Sequence, residues 1–461
     1  MEIAESHAVE KASWHNNYTM SPDVFNGYQE AREAVARYSS VDGVRVDPQV
    51  STASAYWVGN TTHSLVGWVA CLSGGKPQSR ADPVGEENKD VVLCSGCSCA
   101  LDLAITVLAN PGQNILVPRP GFSIYRTLAE GLGIRTKPYN LLVSATNLDA
   151  SIFAERGWEA DLAGLEAAID EDTAAIVVNN PSNPCGSVFS KQHLRDILDI
   201  ASRHRVPIIG DEIYEHLVFP GERYYSLGSL SEDVPILSCS GLTKRFLVPG
   251  WRMGWVVLHD RAGVLGREVR AGLQRLSQRI IGSNTIVQGA LADILERTPQ
   301  AFYDQTVRTL QAHARLAYDE LSRVPGLRPV MPQGAMYMMV GIDMDMFPEF
   351  GTDLELVNQL VCEESVFVLP GQCFDFPGYV RLVLTVPEPQ LRAACSRIRS
   401  FCARHHRAHG SADVDMDSQE LPHLQTLQDM EVLEVDELDL SPRGADTFPN
   451  DSGPGAVGVG G

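Results

Sequence analysis

AAIVVNNPSNPCGSVFSKQHLRDILDIASRHRVPIIGDEIY, Ala174 to Tyr214, changes its hydrophobic period twice. Its first run, AAIVV, is short, apolar and rich in β-branched residues, the composition of a strand buried on both faces. A cluster of Asn and Pro, NNPSNP, ends it as turn-forming side chains do. KQHLRDILDIASRHR then spaces Leu194, Ile197, Leu198 and Ala201 three and four residues apart, which predicts a helix. VPIIG restores a short apolar run and stops at Asp211. Strand, helix and strand in succession predict two parallel strands joined by a crossover.

The same alternation extends outward. VVLC, NILVP, VPILSC and WVVLH are further strand-like runs, separated by helix-compatible stretches such as LDLAITVLAN. The predicted fold class is therefore α/β, with a largely parallel sheet between helices. In such sheets ligands bind beyond the carboxyl ends of the strands, so the polar, Gly and Pro clusters after each run are the places to look for chemistry. Thr298 to Val324 reads as one long helix closed by Pro325-Gly326. LRPVMPQGAMYMMVGI and YVRLVLTVP beyond it read as strands and PQLRAACSRIRSFCARHH as a last helix, a second and smaller α/β domain.

The chain has 461 residues, 44% apolar and 21% charged, which suits a soluble protein of two or three domains. A net charge of −21 argues against nucleic acid as a partner, because phosphate contacts need clustered Lys and Arg. From Ser411 onward twelve acidic residues face a single Arg, so about half the excess lies in a tail expected to be disordered. Within it, MEVLEVDELDL could form a short amphipathic docking helix. No apolar run approaches the roughly 20 residues of a membrane span. The N-terminus lacks a basic region followed by an apolar core, the mark of a secretory leader. Ten scattered cysteines read as reduced thiols, so the expected location is the cytoplasm, with the mitochondrion also compatible.

Four segments follow strands: NNPSNPCG (Asn179–Gly186), DEIY (Asp211–Tyr214), GLTKRFLVPGWRMGW (Gly241–Trp255) and YVRLVLTVP (Tyr379–Pro387). Each alone is ordinary. A loop Lys is usually a solvated charge, NPSNP is usually a turn, and an Asp at a strand end is as often a helix cap. Taken in order, together with PGQNILVPRPGFSIYRTLAEGLGI and LSQRIIGSNTIVQGAL, they resemble the fold type I pyridoxal-phosphate aminotransferases, in particular those acting on L-tyrosine. The resemblance covers about Asp90 to His405.

It implies a homodimer with a mostly parallel seven-stranded sheet in the large domain. It also implies an amino-group transfer from L-tyrosine to 2-oxoglutarate, yielding 4-hydroxyphenylpyruvate and L-glutamate, the first step of tyrosine breakdown. By that resemblance Lys244 binds pyridoxal 5′-phosphate covalently and shuttles the substrate proton. Arg252 pairs with the phosphate, and Asp211 keeps the ring nitrogen protonated. Tyr214 and Asn183 bond the phenolic oxygen, Phe122 stacks on the ring, and Arg381 takes the substrate carboxylate; Asn183 also faces the substrate. An Arg within so apolar a strand as YVRLVLTVP needs an anionic partner in any case.

VVLCSGCSCALDL, Val91 to Leu103, packs Cys94, Cys97 and Cys99 into six residues. A metal site would need a fourth nearby ligand, and none stands at zinc-like spacing. The resemblance makes the turn a phosphate cradle instead, with Gly96, Cys97 and Ser98 at a helix start whose backbone N–H groups do the binding and Ser98 as the side-chain donor.

The implied organisation is a divergent N-terminal region 1–89, a cofactor-binding domain 90–324, a small domain 325–408 and the tail 409–461. The first 89 residues lack the family's substrate-covering S-x-G-D-P segment, and Tyr28 in FNGYQEAREAVARY matches the second rather than the phosphate-binding Tyr of its run. Val50–Pro83 and about Val143–Gly157 are insertions. Gly241 stands where the family often has a Ser, for which Ser240 or Thr243 could substitute. The departures leave two alternatives: a relative with another substrate or C–S lyase chemistry, and a chain that binds cofactor without turnover.

Overall fold

The computed structural model describes residues 27–40, 90–143, 157–280 and 282–407. Strands β1 (Val91–Cys94), β2 (Asn114–Arg119), β3 (Arg135–Val143), β4 (Trp158–Ala160), β5 (Thr173–Asn179), β6 (Ile208–Asp211), β7 (Ile236–Gly241) and β8 (Gly254–His259) form one sheet in the order β1-β8-β7-β6-β5-β2-β3-β4. The five strands from β7 to β3 run parallel. β8 is antiparallel to both its neighbours, and β4 folds back on β3. Seven of the eight strands match the implied sheet. The eighth, β4, is a three-residue edge strand, too short to carry a period in the sequence.

The apolar runs divide their side chains between two cores. Ala175, Val177, Ile209, Leu237 and Val256 pack on one face with helix Gly96–Leu108, while Ile176, Val178, Ile208 and Ile236 pack on the other with helix Lys191–His204. Each fully buried Ile or Val contributes roughly 1.5–3 kcal/mol, which is why these strands are apolar throughout rather than alternating.

A second sheet, β9 (Leu327–Pro329), β10 (Tyr337–Ile342), β11 (Leu369–Pro370) and β12 (Tyr379–Val383), is antiparallel in the order β11-β12-β10-β9. Helix Gln300–Leu321 precedes it and helix Glu388–His405 follows it. The segment leading into β10 is joined to loops of the large sheet: Gln333 N–H donates to the Gly186 carbonyl and Ala335 N–H to that of Leu217, both at 2.8 Å. No helix among the described residues is long and apolar enough to cross a membrane. Most of the divergent N-terminal region, including Val50–Pro83, all but the ends of Val143–Gly157, and the acidic tail with its expected helix lie outside the described residues.

Strand register sets the functional edge. Asn179, Asp211 and Cys239 lie side by side near the carboxyl ends of β5, β6 and β7. Because β8 is antiparallel, its first residue Gly254 stands beside both Gly241, the last of β7, and Cys94, the last of β1. Five segments therefore deliver their loops to one edge.

Candidate active site

At that edge Ser95-Gly96 turns β1 into helix Gly96–Leu108. Gly96 has φ +75°, a conformation glycine adopts without a steric cost. A Cβ there would stand 2.6 Å from Nη2 of Arg252, and a Cβ on Gly254 would stand 2.4 Å from the Gly96 carbonyl carbon. A Cβ on Gly241 would meet the Met253 carbonyl oxygen at 2.5 Å. The three glycines let backbone touch backbone and bring Arg252 onto the helix start. Arg252 is exposed and donates to the carbonyls of Pro249 (3.2 Å) and Ser95 (3.3 Å). It forms no ion pair among the described residues, so guanidinium, free N–H groups and the positive helix end together make a place for an anion. Ser98 is exposed in the first helical turn.

Asp211 is buried at the end of β6. Tyr125 donates its hydroxyl to Oδ2 at 2.7 Å, the Cys97 thiol lies 3.7 Å from Oδ1, and the Ile213 N–H is 3.4 Å from Oδ1. Burial raises the Asp211 pKa, while these donors and the charge of Lys244 favour the anion. It has three donors and no ion pair among the described residues, an arrangement that suits a cationic N–H brought in by a ligand. Cys97 spends its thiol on Asp211, which leaves its backbone N–H for the anion site. Lys244 is half-buried, with Nζ 5.4 Å from the centre of the Tyr214 ring. Its amine has no hydrogen-bond or ion-pair partner among the described residues.

The small sheet contributes the rest. Arg381, on β12, donates from Nη1 to Asn183 Oδ1 at 2.8 Å. Its guanidinium carbon lies 4.2 Å from the Tyr337 ring centre and 4.9 Å from that of Phe374, and its Nε is buried without a partner among the described residues. Burial lowers the Arg381 pKa, the sign of a cation short of counter-charge. Asn183 is fixed in turn, its N–H donating to Asn179 Oδ1 at 2.7 Å. With Oδ1 occupied by Arg381, its amide NH2 is the group left for a ligand. Tyr214 meets Tyr337 hydroxyl to hydroxyl at 2.9 Å.

Lys244, Asp211, Tyr214, Asn183, Arg252, Gly96 and Cys97 thus come from loops at one sheet edge, and Arg381 reaches Asn183 from the second sheet. Phe122 is exposed, edge-on to Tyr125 with ring centres 6.1 Å apart. Ser240 does not replace the missing Ser: its hydroxyl donates to Glu215 Oε1 at 2.6 Å. Sequence reasoning missed Tyr125, Tyr337 and Phe374. Tyr125 had a signal, since a tyrosine on the buried face of an amphipathic helix, three residues after Phe122, must find a partner for its hydroxyl.

A cavity of about 730 Å³ lies among Tyr38, Glu212, Glu215, Tyr224, Arg245 and Tyr303. Lys244, Asp211, Arg252 and Arg381 do not line it, so this hollow is separate from the site. Burial, foremost, pushes the Glu215 carboxyl up to about 7, with Glu212 adding to the rise and Ser240 and Arg245 opposing it.

An anion cradle, a buried carboxylate awaiting a cation and a partnerless lysine amine fit pyridoxal phosphate: phosphate, pyridine N–H and carbonyl carbon find one group each. The fold and this edge define the class. Residues 78–398 match the family described as aminotransferase class I and II, and the chain belongs to it. Its relatives include the tyrosine aminotransferase of Homo sapiens, 58% identical over 328 residues, 71% of this chain and 70% of the relative. That of Mus musculus is 57% identical over the same shares. Among solved structures, tyrosine aminotransferase from Leishmania infantum matches with a TM-score of 0.71 at 30% identity, over 88% of each chain.

Proposed function

We propose that the chain is a pyridoxal-phosphate-dependent aminotransferase that moves the amino group of L-tyrosine to 2-oxoglutarate, yielding 4-hydroxyphenylpyruvate and L-glutamate. The observation that carries it is the Lys244 amine, unpaired among the described residues, at the same sheet edge as buried Asp211 and exposed Arg252, in a chain 57–58% identical to two tyrosine aminotransferases over 71% of its length. Bound there, pyridoxal phosphate supplies a reactive carbonyl and a ring that accepts electron density from the substrate's α-carbon.

Arg252 and the backbone N–H groups of Gly96, Cys97 and Ser98 would hold the phosphate. Asp211, its charge favoured by Tyr125, would keep the ring nitrogen protonated, and exposed Phe122 would cover the ring face. Lys244 would hold the cofactor covalently through its amine, and the same amine would serve as the base that takes and gives back the substrate's α-proton. The Tyr214 hydroxyl and the Asn183 NH2 would face the phenolic oxygen. Arg381, held against the Tyr337 and Phe374 rings, would take the substrate carboxylate bidentately.

Free cysteines from Cys94 to Cys402 support a cytoplasmic location. The family resemblance supports a homodimer, which sedimentation of the purified chain would test. The activity is tested with the full chain loaded with pyridoxal phosphate. L-Tyrosine alone should remove the absorbance band of the lysine-bound cofactor, 2-oxoglutarate should restore it, and 4-hydroxyphenylpyruvate should accumulate. A band indifferent to every amino acid would mean a chain that binds without turnover, and absence of any band would sink the Lys244 assignment.

A further inference from the structure

We propose that Tyr337 is a positioning residue of this site: its ring holds the Arg381 guanidinium and its hydroxyl fixes that of Tyr214. The proposal rests on the reading of Tyr214 as a partner of the cofactor's phenolic oxygen and of Arg381 as the carboxylate anchor.

Tyr337 opens β10 and pairs with Val383 of β12, so Arg381, two residues before Val383, is its diagonal neighbour on the same sheet face. The 4.2 Å approach of the guanidinium carbon to the ring centre is a cation–π contact, and Phe374 at 4.9 Å bounds the group as well. With Nη1 committed to Asn183, the plane of Arg381 is fixed, and its remaining N–H groups define how a carboxylate docks. At its other end Tyr337 reaches the large sheet. Its hydroxyl lies 2.9 Å from that of Tyr214, with the rings edge to face at 5.8 Å. When Tyr337 donates to the Tyr214 oxygen, the Tyr214 hydrogen is left for the cofactor, and the chain of two hydroxyls polarises the second. Tyr337 is itself buried, so its hydroxyl has little recourse to water. One side chain thus links the group that binds the carboxylate to a group that tunes the cofactor's charge.

Two substitutions separate the two duties in the full chain loaded with pyridoxal phosphate. Tyr337→Phe keeps the ring and removes the hydroxyl; Tyr337→Met keeps a long apolar side chain without a π face. Tyr214→Phe and Arg381→Leu serve as references. Two quantities are read: the pH midpoint of the bound cofactor's absorbance, and the Kd of 3-(4-hydroxyphenyl)propionate, a carboxylate without an amine that undergoes no transfer.

A weaker donor at the phenolic oxygen leaves its charge less stabilised, so the chromophore keeps its proton to higher pH. Tyr337→Phe should raise the midpoint by about half a unit, in the direction of Tyr214→Phe but less, with Kd changed by no more than about twofold. Tyr337→Met should raise the midpoint similarly and weaken the carboxylate by roughly tenfold. An unmoved midpoint in Tyr337→Phe, while Tyr214→Phe shifts it, overturns the hydroxyl's role. An unmoved Kd in Tyr337→Met, while Arg381→Leu weakens binding, overturns the ring's role. If neither reference variant moves its own quantity, the assignment of Tyr214 and Arg381 falls, and the proposal with it. Tyr337→Phe changes no packing volume of consequence, so it decides the hydroxyl even if the Met variant fails to fold.

Discussion

Lys244 and Arg245 are sequence neighbours with opposite employment. The Lys244 amine sits near the Tyr214 ring and lacks a hydrogen-bond or ion-pair partner among the described residues, whereas Arg245 lies over the Tyr303 ring at 4.2 Å and donates to the Tyr38 hydroxyl. Lys244→Ala should therefore leave the fold intact, with an unchanged melting temperature. It should abolish covalent retention of pyridoxal phosphate and lower turnover by about a thousandfold or more, measured as product formation under saturating substrates. Gly96→Val attacks the other end of the site. It forces a β-branched residue into φ +75° and drives Cβ toward Arg252. Strain of roughly 1–3 kcal/mol and loss of the cradle should raise the Kd for pyridoxal phosphate more than about tenfold, as read by absorbance titration. A tight-binding Gly96→Val would remove the cradle from the account.

At the scale of elements, β1 ends on Cys94 and helix Gly96–Leu108 carries Cys97 and Cys99 at its start, without the anion site depending on their sulfur. Replacing Cys94, Cys97 and Cys99 together by Ala should change the Kd for pyridoxal phosphate by no more than about threefold, since backbone N–H groups and the helix end do the binding. Release of a stoichiometric metal from the wild-type chain, absent from the triple variant, would reverse that reading. The strands and their carboxyl-end loops were legible because strand–helix alternation is written in local hydrophobic period, and Arg381 because a charge stood in an apolar run. The link between Tyr214 and Tyr337 was not, since it joins hydroxyls 123 residues apart across two sheets. No local pattern encodes that pairing. Ser240 misled for a related reason: it lies next to Gly241 in sequence, yet its hydroxyl is taken by Glu215.

Over the whole molecule, burial of Glu215 makes stability depend on pH. Its carboxyl is pushed from an ordinary 4.5 to about 7, so the folded chain holds a proton there that the unfolded chain has released. The resulting stabilisation is full below pH 4.5 and is lost as pH rises through 7. Its size is up to roughly 3 kcal/mol. Glu215→Gln keeps the shape and stays neutral, so its melting temperature should decline less between about pH 5 and 7 than that of the wild type. Identical slopes would show that the carboxylate is ionised throughout. The corner where Gly96, Gly241 and Gly254 meet bears on how this scaffold acquires new specificities. No side chain fits there, so neutral drift and laboratory libraries alike are shut out of the end that grips the phosphate. Variation is channelled away from that corner, toward the side where the turn Gly371–Phe374 meets the second sheet. A library that spares the three glycines and randomises that side would retain loaded proteins while sampling new amino acids.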